Sequence, residues 1–196
     1  MTAPDDAITP TAPTDTPPEP SPWPRRLAPI VVGLVCLAIS SWSARDLGLS
    51  TDEPRYINNS QRLQAWFGDL FNQGPAAAFA EDRLAEGWYW ARPESKNLPL
   101  VSLVGSLGQH TFGLFDSPPH SHRWGNLVIL AVTCGVVFAW IRDELSPQAA
   151  TVAVVALVGM PRVWTHAQLM SIDPLVVSFQ VLACWALWRS RKGDDP

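Results

Sequence analysis

Charge is scarce in this 196-residue chain: Asp, Glu, Lys and Arg make up 16% of it, against roughly 25% in soluble globular domains. The scarcity is uneven, and that excludes an ordinary soluble domain. Residues 1–24 lack large apolar side chains apart from Met1, Ile8 and Trp23 and are dense in Pro, Thr and Asp. Such a segment cannot bury enough apolar area to offset its chain entropy, so a disordered tail is predicted over 1–24. It is too acidic and too poor in Arg for a transit peptide. The first apolar run comes too late, with no small-residue cleavage site, for a standard cleaved signal peptide. No basic surface large enough to neutralise many phosphates is visible, which excludes nucleic-acid binding. The formal charge is −4, and four acids (Asp5, Asp6, Asp15 and Glu19) lie in the tail, which leaves the remainder balanced. Cysteine is limited to Cys36, Cys134 and Cys184, each inside an apolar run with no second ligand at metal-binding spacing. They read as small hydrophobes. There is no internal repeat.

What the chain does have is apolar runs. Arg25-Arg26 precede Leu27 to Trp42, which carries no charge; extended to Ala44 it spans 18 residues, about 27 Å as a helix, close to a hydrocarbon core of roughly 30 Å. A buried soluble helix would read the same way, but the double Arg in front and Trp42 behind favour a membrane span. Further apolar runs cover Leu98 to Phe115, Trp124 to Ile141, Ala149 to about His166 and Pro174 to Trp188, the last followed by Arg189, Arg191 and Lys192. Basic flanks prefer the cytoplasmic side. With basic patches at both ends, the number of crossings between them must be even, so one of the five runs does not cross. Leu98 to Phe115 is the choice: Gln109 and His110 are awkward in lipid, and Gly105, Gly108 and Gly113 weaken a helix.

The fold expected is an all-α, polytopic transmembrane bundle with a membrane domain over 25–192. Its spans are placed at about 27–44, 124–141, 149–168 and 172–188, with a long outer loop at 45–123 and a short tail at 193–196. Within the loop, Asp52-Glu53-Pro54 has the form of a helix start. Leu63, Trp66, Phe67, Leu70 and Phe71 then recur at helical spacing, an amphipathic helix fit for a membrane surface or a bundle. A second helix is predicted through residues 76–90. This topology puts Asp52, Glu53 and Asp173 on one face of the membrane, where they are candidates for acid–base chemistry or for plain solvation.

Three segments carry a resemblance. Thr51-Asp52-Glu53-Pro54-Arg55-Tyr56 resembles the Asp-Glu-x-x-Tyr motif in the first outer loop of GT-C class glycosyltransferases that use lipid-linked sugars. Those of the aminoarabinose transferase and protein O-mannosyltransferase group, the family 39 type, are the most similar. Asn97-Leu98-Pro99-Leu100, with Gly105 and Phe112-Gly113, resembles that group's His/Lys-Pro-Pro-Leu segment and the membrane-lying helix it leads into, although Leu98 stands where the first Pro is expected. Pro161 through Ala167 and on to Asp173-Pro174 resembles its Pro-x-x-x-x-x-Ala pattern before a second outer-face Asp. The match runs from 27 to 188. Family members usually continue with many more spans, so the resemblance implies the N-terminal part of such an enzyme.

The resemblance implies transfer of a sugar from a polyprenyl-phosphate donor to an acceptor hydroxyl at the outer face. A carboxylate must take the hydroxyl proton, and cations must hold the departing phosphate. Asp52 is the expected base, beside Glu53, with Asp173 orienting the acceptor; the competing role for Asp52 is to cap the helix behind it. Lys96, Arg92, Arg55 and Arg123 are the candidates for the donor phosphate, and interfacial snorkelling or topological anchoring is the plainer reading of each. Asp116, His120 and His122 are a poor zinc pattern, and Ser121 and His122 lack a hydrolase context; no cofactor and no metal is expected. Trp42, Trp124, Trp140, Trp164 and Trp188 read as an interfacial belt. Trp88, Tyr89 and Trp90 could stack on a sugar, with packing on the bilayer the plainer role. The expected partners are the polyprenyl-phosphate sugar, membrane lipid and the missing C-terminal part of the enzyme, in a multi-pass protein of the inner, or cytoplasmic, membrane. The competing function is a non-catalytic truncated or accessory membrane protein; a transporter is weaker, for want of broken helices or buried charge.

Overall fold

The computed structural model describes residues 22–88, 99–113, 116 and 118–193. The described residues are helical, with no strand among them: α1 Pro22–Ala44, α2 Glu53–Gln73, α3 Pro75–Ala78, α4 Glu81–Gly87, α5 Pro99–Phe112, α6 His120–Glu144, α7 Pro147–Gly159, α8 Pro161–Ala167 and α9 Asp173–Gly193. The all-α class expected from the apolar runs is the class observed.

Two helices are long and apolar enough to cross a membrane, Arg26–Ala44 and His120–Glu144, with a third if the bent pair α7 and α8 forms one span. The bend is 71°, and its cause is in the sequence. Pro161 bars Met160 from helical geometry, and Met160 is extended, at φ −71° and ψ 114°. The segment read from sequence as one run over 149–168 is therefore broken. At its start, Ser146 caps α7 by accepting a hydrogen bond from the Ala149 N–H at 3.1 Å, with Pro147 in the first turn.

Helix α6 is the hub, packing on α1, α5, α7 and α9. Leu130, Cys134 and Phe138 of α6 form a core with Ala150 and Val154 of α7 and Ala167 of α8, against which Ala28, Val32 and Cys36 of α1 pack. Close approach to α1 depends on small residues: a Cβ on Gly33 would sit 2.9 Å from the Ala131 carbonyl oxygen, and one on Gly135 2.9 Å from that of Pro29. The opposite face of α1 shows Leu27, Ile30, Val31, Leu34, Val35, Ile39 and Trp42, which is the solvation a lipid would provide.

The run predicted not to cross folds as α5, whose 14 residues reach about 21 Å, short of a hydrocarbon core of roughly 30 Å. Its glycines are positions of contact. A Cβ on Gly108 would lie 2.7 Å from the backbone nitrogen of Gly125 and 3.1 Å from the Ser121 carbonyl oxygen, so α5 and α6 touch backbone to backbone. Gly108→Ala is expected to cost about 1–3 kcal/mol, because backbone cannot swing aside as a side chain can; thermal unfolding of the detergent-solubilised chain checks this, and an unchanged midpoint would show that the contact yields freely.

Helix α2 buries Leu63 and Trp66 as its periodicity predicts, with Phe67 and Leu70 packed around them, but Phe71 is 81% exposed. Gly74 at φ +88° ends the helix. The helix predicted over 76–90 is two short ones, α3 and α4, divided by Phe79 and Ala80. Trp88 meets Trp66 edge to face, with ring centroids 5.2 Å apart.

Candidate functional site

The organising feature is a buried ion pair between residues 70 positions apart. Glu53, in the first turn of α2, is fully buried, as is Arg123 in the first turn of α6. Arg123 Nε and Nη2 donate to the two Glu53 oxygens at 2.6 and 2.7 Å, a bidentate fork. The remaining guanidinium hydrogens go to the carbonyls of Ala44, Leu47 and Gly48, each at 2.9 Å. All five donors of the side chain are thus used. Glu53 also accepts from the backbone N–H groups of Met170 at 3.0 Å and Ser50 at 3.2 Å.

One pair of side chains therefore ties four segments together: the chain leaving α1, the start of α2, the start of α6 and the link between α8 and α9. Burial pushes the Glu53 carboxyl upward, but the Arg123 fork and the two N–H groups outweigh it and hold it below the usual value of 4.5. Asn126, one turn further along α6, pins the same link by donating to the Leu169 and Ser171 carbonyls at 2.7 and 2.9 Å.

Asp52 immediately precedes this pair. It occupies the N-cap position of α2 but makes no side-chain capping hydrogen bond, and it is exposed. The capping role considered from sequence is thus not the one its side chain plays. Asp173 follows the pinned link, at the first turn of α9. Both carboxylates act on the half-buried Tyr56: burial first, then Asp52 and Asp173, raise its hydroxyl above its ordinary value, against the nearby Arg55. Acids 121 positions apart thus bear on one phenol.

Asp173 has company that the sequence reading did not assign. His166 Nδ1 lies 3.1 Å from its Oδ2, and Arg162 Nη2 3.7 Å from the same oxygen; Ser171 Oγ is 3.4 Å from His166 Nδ1. The signal was available, since Arg and His in a stretch otherwise fit for a membrane are functional candidates by default. Of the cations named for the donor phosphate, Arg55 is exposed on α2 beside Asp52, and Arg123 has every donor spent on protein. Lys96 and Arg92, like Tyr89 and Trp90, lie outside the described residues. His120 is bonded to Asp116 and, through Nε2 at 3.2 Å, meets the Ser41 carbonyl, while His122 is buried apart from them. Among the described residues no group of three His, Cys, Asp or Glu could hold a metal ion.

Residues 102–195 match the family model described as dolichyl-phosphate-mannose-protein mannosyltransferase. No curated protein and no solved structure matches the chain. The matched stretch contains Arg123, Asn126, Arg162, His166 and Asp173, and it begins after Asp52 and Glu53. Its membrane-length apolar helices and the similarity of residues 102–195 to this membrane glycosyltransferase family point to an integral membrane protein whose second half resembles a GT-C-type glycosyltransferase.

Proposed function

We propose that this protein transfers a sugar from a polyprenyl-phosphate donor to an acceptor hydroxyl at the outer face of the cytoplasmic membrane. The observation that carries the reading is the similarity of residues 102–195 to the mannosyltransferase family, together with the buried Glu53–Arg123 pair, which ties the start of α2, next to Asp52, to the link that leads into Asp173. Asp52 removes the acceptor proton as the acceptor oxygen attacks the anomeric carbon. The bond from that carbon to the phosphate oxygen breaks, and the phosphate leaves as an anion. Asp173 orients the acceptor. Glu53 and Arg123 act as positioning residues, since neither has bonding capacity left for a substrate. Arg55, with Lys96 and Arg92 from the same outer loop, supplies positive charge for the departing phosphate.

The topology follows from charge. Arg25-Arg26 near the start of α1 and Arg189, Arg191 and Lys192 at the end of α9 are held on the cytoplasmic side, in a multi-pass arrangement with the segment 45–123 outside. The test is sugar transfer by membranes containing the chain, supplied with a labelled polyprenyl-phosphate sugar. Label is expected to leave the lipid fraction faster than in membranes without the chain. Equal rates in the two would refute the activity.

A further inference from the structure

We infer that the groove beside the α7–α8 break is the seat of the lipid-linked donor, with Arg162 and His166 holding its phosphate and the first part of its hydrocarbon chain lying along α6 and α9. The inference rests on the activity just proposed and adds to it the place of the donor and two residues that grip it. The groove has a volume of about 410 Å³, within the range of sites that bury most of a small ligand. Leu130, Leu157, Val163, Val176 and Val177 are among its apolar walls, and Arg162, His166 and Asp173 are the titratable groups of its lining, beside the hydroxyls of Thr133 and Ser178. A ligand that fits such a lining carries an anion on a hydrocarbon body.

Arg162 supplies the positive charge that an anion would meet. Arg162 is 84% exposed and its contact with Asp173, at 3.7 Å, engages one edge of the guanidinium. His166 turns Nδ1 toward Asp173 at 3.1 Å, so that Nδ1 carries the proton and Nε2 is left for a ligand. One carboxylate thus orients a guanidinium and an imidazole, and an arriving phosphate meets a fork of N–H donors with a ring nitrogen beside it. The 71° bend at Met160–Pro161 sets Arg162 and His166 on a separate short helix, angled away from α7. Asp173 follows the link that Met170 ties to Glu53, the neighbour of Asp52, where the sugar has to lie for transfer.

The test is equilibrium binding of radiolabelled farnesyl phosphate to the full chain in phosphatidylcholine nanodiscs. The parent is expected to bind it, with farnesol and inorganic phosphate each competing at least tenfold less well. Arg162→Gln removes a charged hydrogen bond and is expected to weaken binding roughly tenfold to a hundredfold. His166→Gln is expected to weaken it less, and Arg162→Lys to recover part of the loss. Arg162 is exposed, so unchanged helicity of the Gln variant is expected and separates lost binding from lost folding. Parent-like binding by both Gln variants would overturn the inference. So would competition by inorganic phosphate as effective as by farnesyl phosphate, or displacement by phosphatidylglycerol at equal concentration, which would mark a seat for any anionic lipid. Binding is read without transfer, so the two proposals fail separately. Arg162-dependent binding in a chain that moves no sugar removes the activity and keeps the seat; transfer at the parent rate by Arg162→Gln keeps the activity and removes the seat.

Discussion

Arg123→Met is expected to destabilise the protein by about 3–5 kcal/mol, the usual consequence of removing one partner of a buried ion pair. The loss extends beyond one bond. Met would leave Glu53 fully buried with no counter-charge, and the carbonyls of Ala44, Leu47 and Gly48 without the donors they now have. Arg123→Lys keeps the charge but not the fork, and three hydrogens cannot replace five, so an intermediate loss is expected. Acid titration separates this account from a simple packing defect. The Glu53 carboxyl is held below its usual 4.5 in the folded protein. Its contribution is therefore complete above that value and is lost as pH falls through the lower, folded-state value. Denaturant unfolding in detergent at neutral pH and near pH 3 should show the parent losing stability with acid. In Arg123→Met the carboxyl is no longer held down, so the acid step should vanish or reverse. A variant within 1 kcal/mol of the parent, with an unchanged acid step, would show that the pair does not hold these segments together.

Features set by short-range pattern were legible in the sequence. Leu27 to Ala44 and Trp124 to Ile141 read as apolar helices because their lengths and lack of charge allow little else, and they lie within α1 and α6. Leu63 and Trp66 read as a buried stripe because helical spacing brings them to one face. Pro161 could have been read as a break, since a proline constrains the residue before it, but the hydrophobicity on both sides of it masks that signal. Gly108 was ambiguous for a different reason: a glycine weakens an isolated helix and permits close contact in a packed one, and only the partner helix decides. Phe71 keeps the stripe's spacing, yet it stays exposed and stacks only its neighbour Phe67 among the described rings.

The candidate site divides along the same line. Asp52, Glu53 and Asp173 could be named from the sequence, because acids next to apolar runs stand out. Their division of labour could not. Whether Glu53 or Asp52 faces outward depends on which of two adjacent residues points at Arg123, 70 positions away. Arg123 looked like a phosphate ligand for as long as its five hydrogen-bond acceptors, all from distant segments, were out of view. Arg162 and His166 were visible as residue types, but they gained a role only when the bend at Met160 turned them toward Asp173.

Asp52→Asn separates the two roles that Asp52 could have. A helix cap contributes about 1 kcal/mol and acts on stability, whereas a general base contributes roughly 100- to 10,000-fold in rate. The Asp52 side chain is exposed and makes no capping bond, so the Asn variant should unfold within about 0.5 kcal/mol of the parent, as surface substitutions usually do. Asn is close to Asp in size but cannot accept a proton from an attacking hydroxyl. The neighbouring Glu53 cannot substitute, since its oxygens are occupied by Arg123, Met170 and Ser50. The decisive measurement is the initial rate at which label moves from a polyprenyl-phosphate sugar to acceptor, compared between parent and Asp52→Asn at matched membrane abundance. The proposed mechanism predicts a fall of roughly 100-fold or more with unfolding unchanged; transfer by the Asn variant at the parent's rate would contradict it.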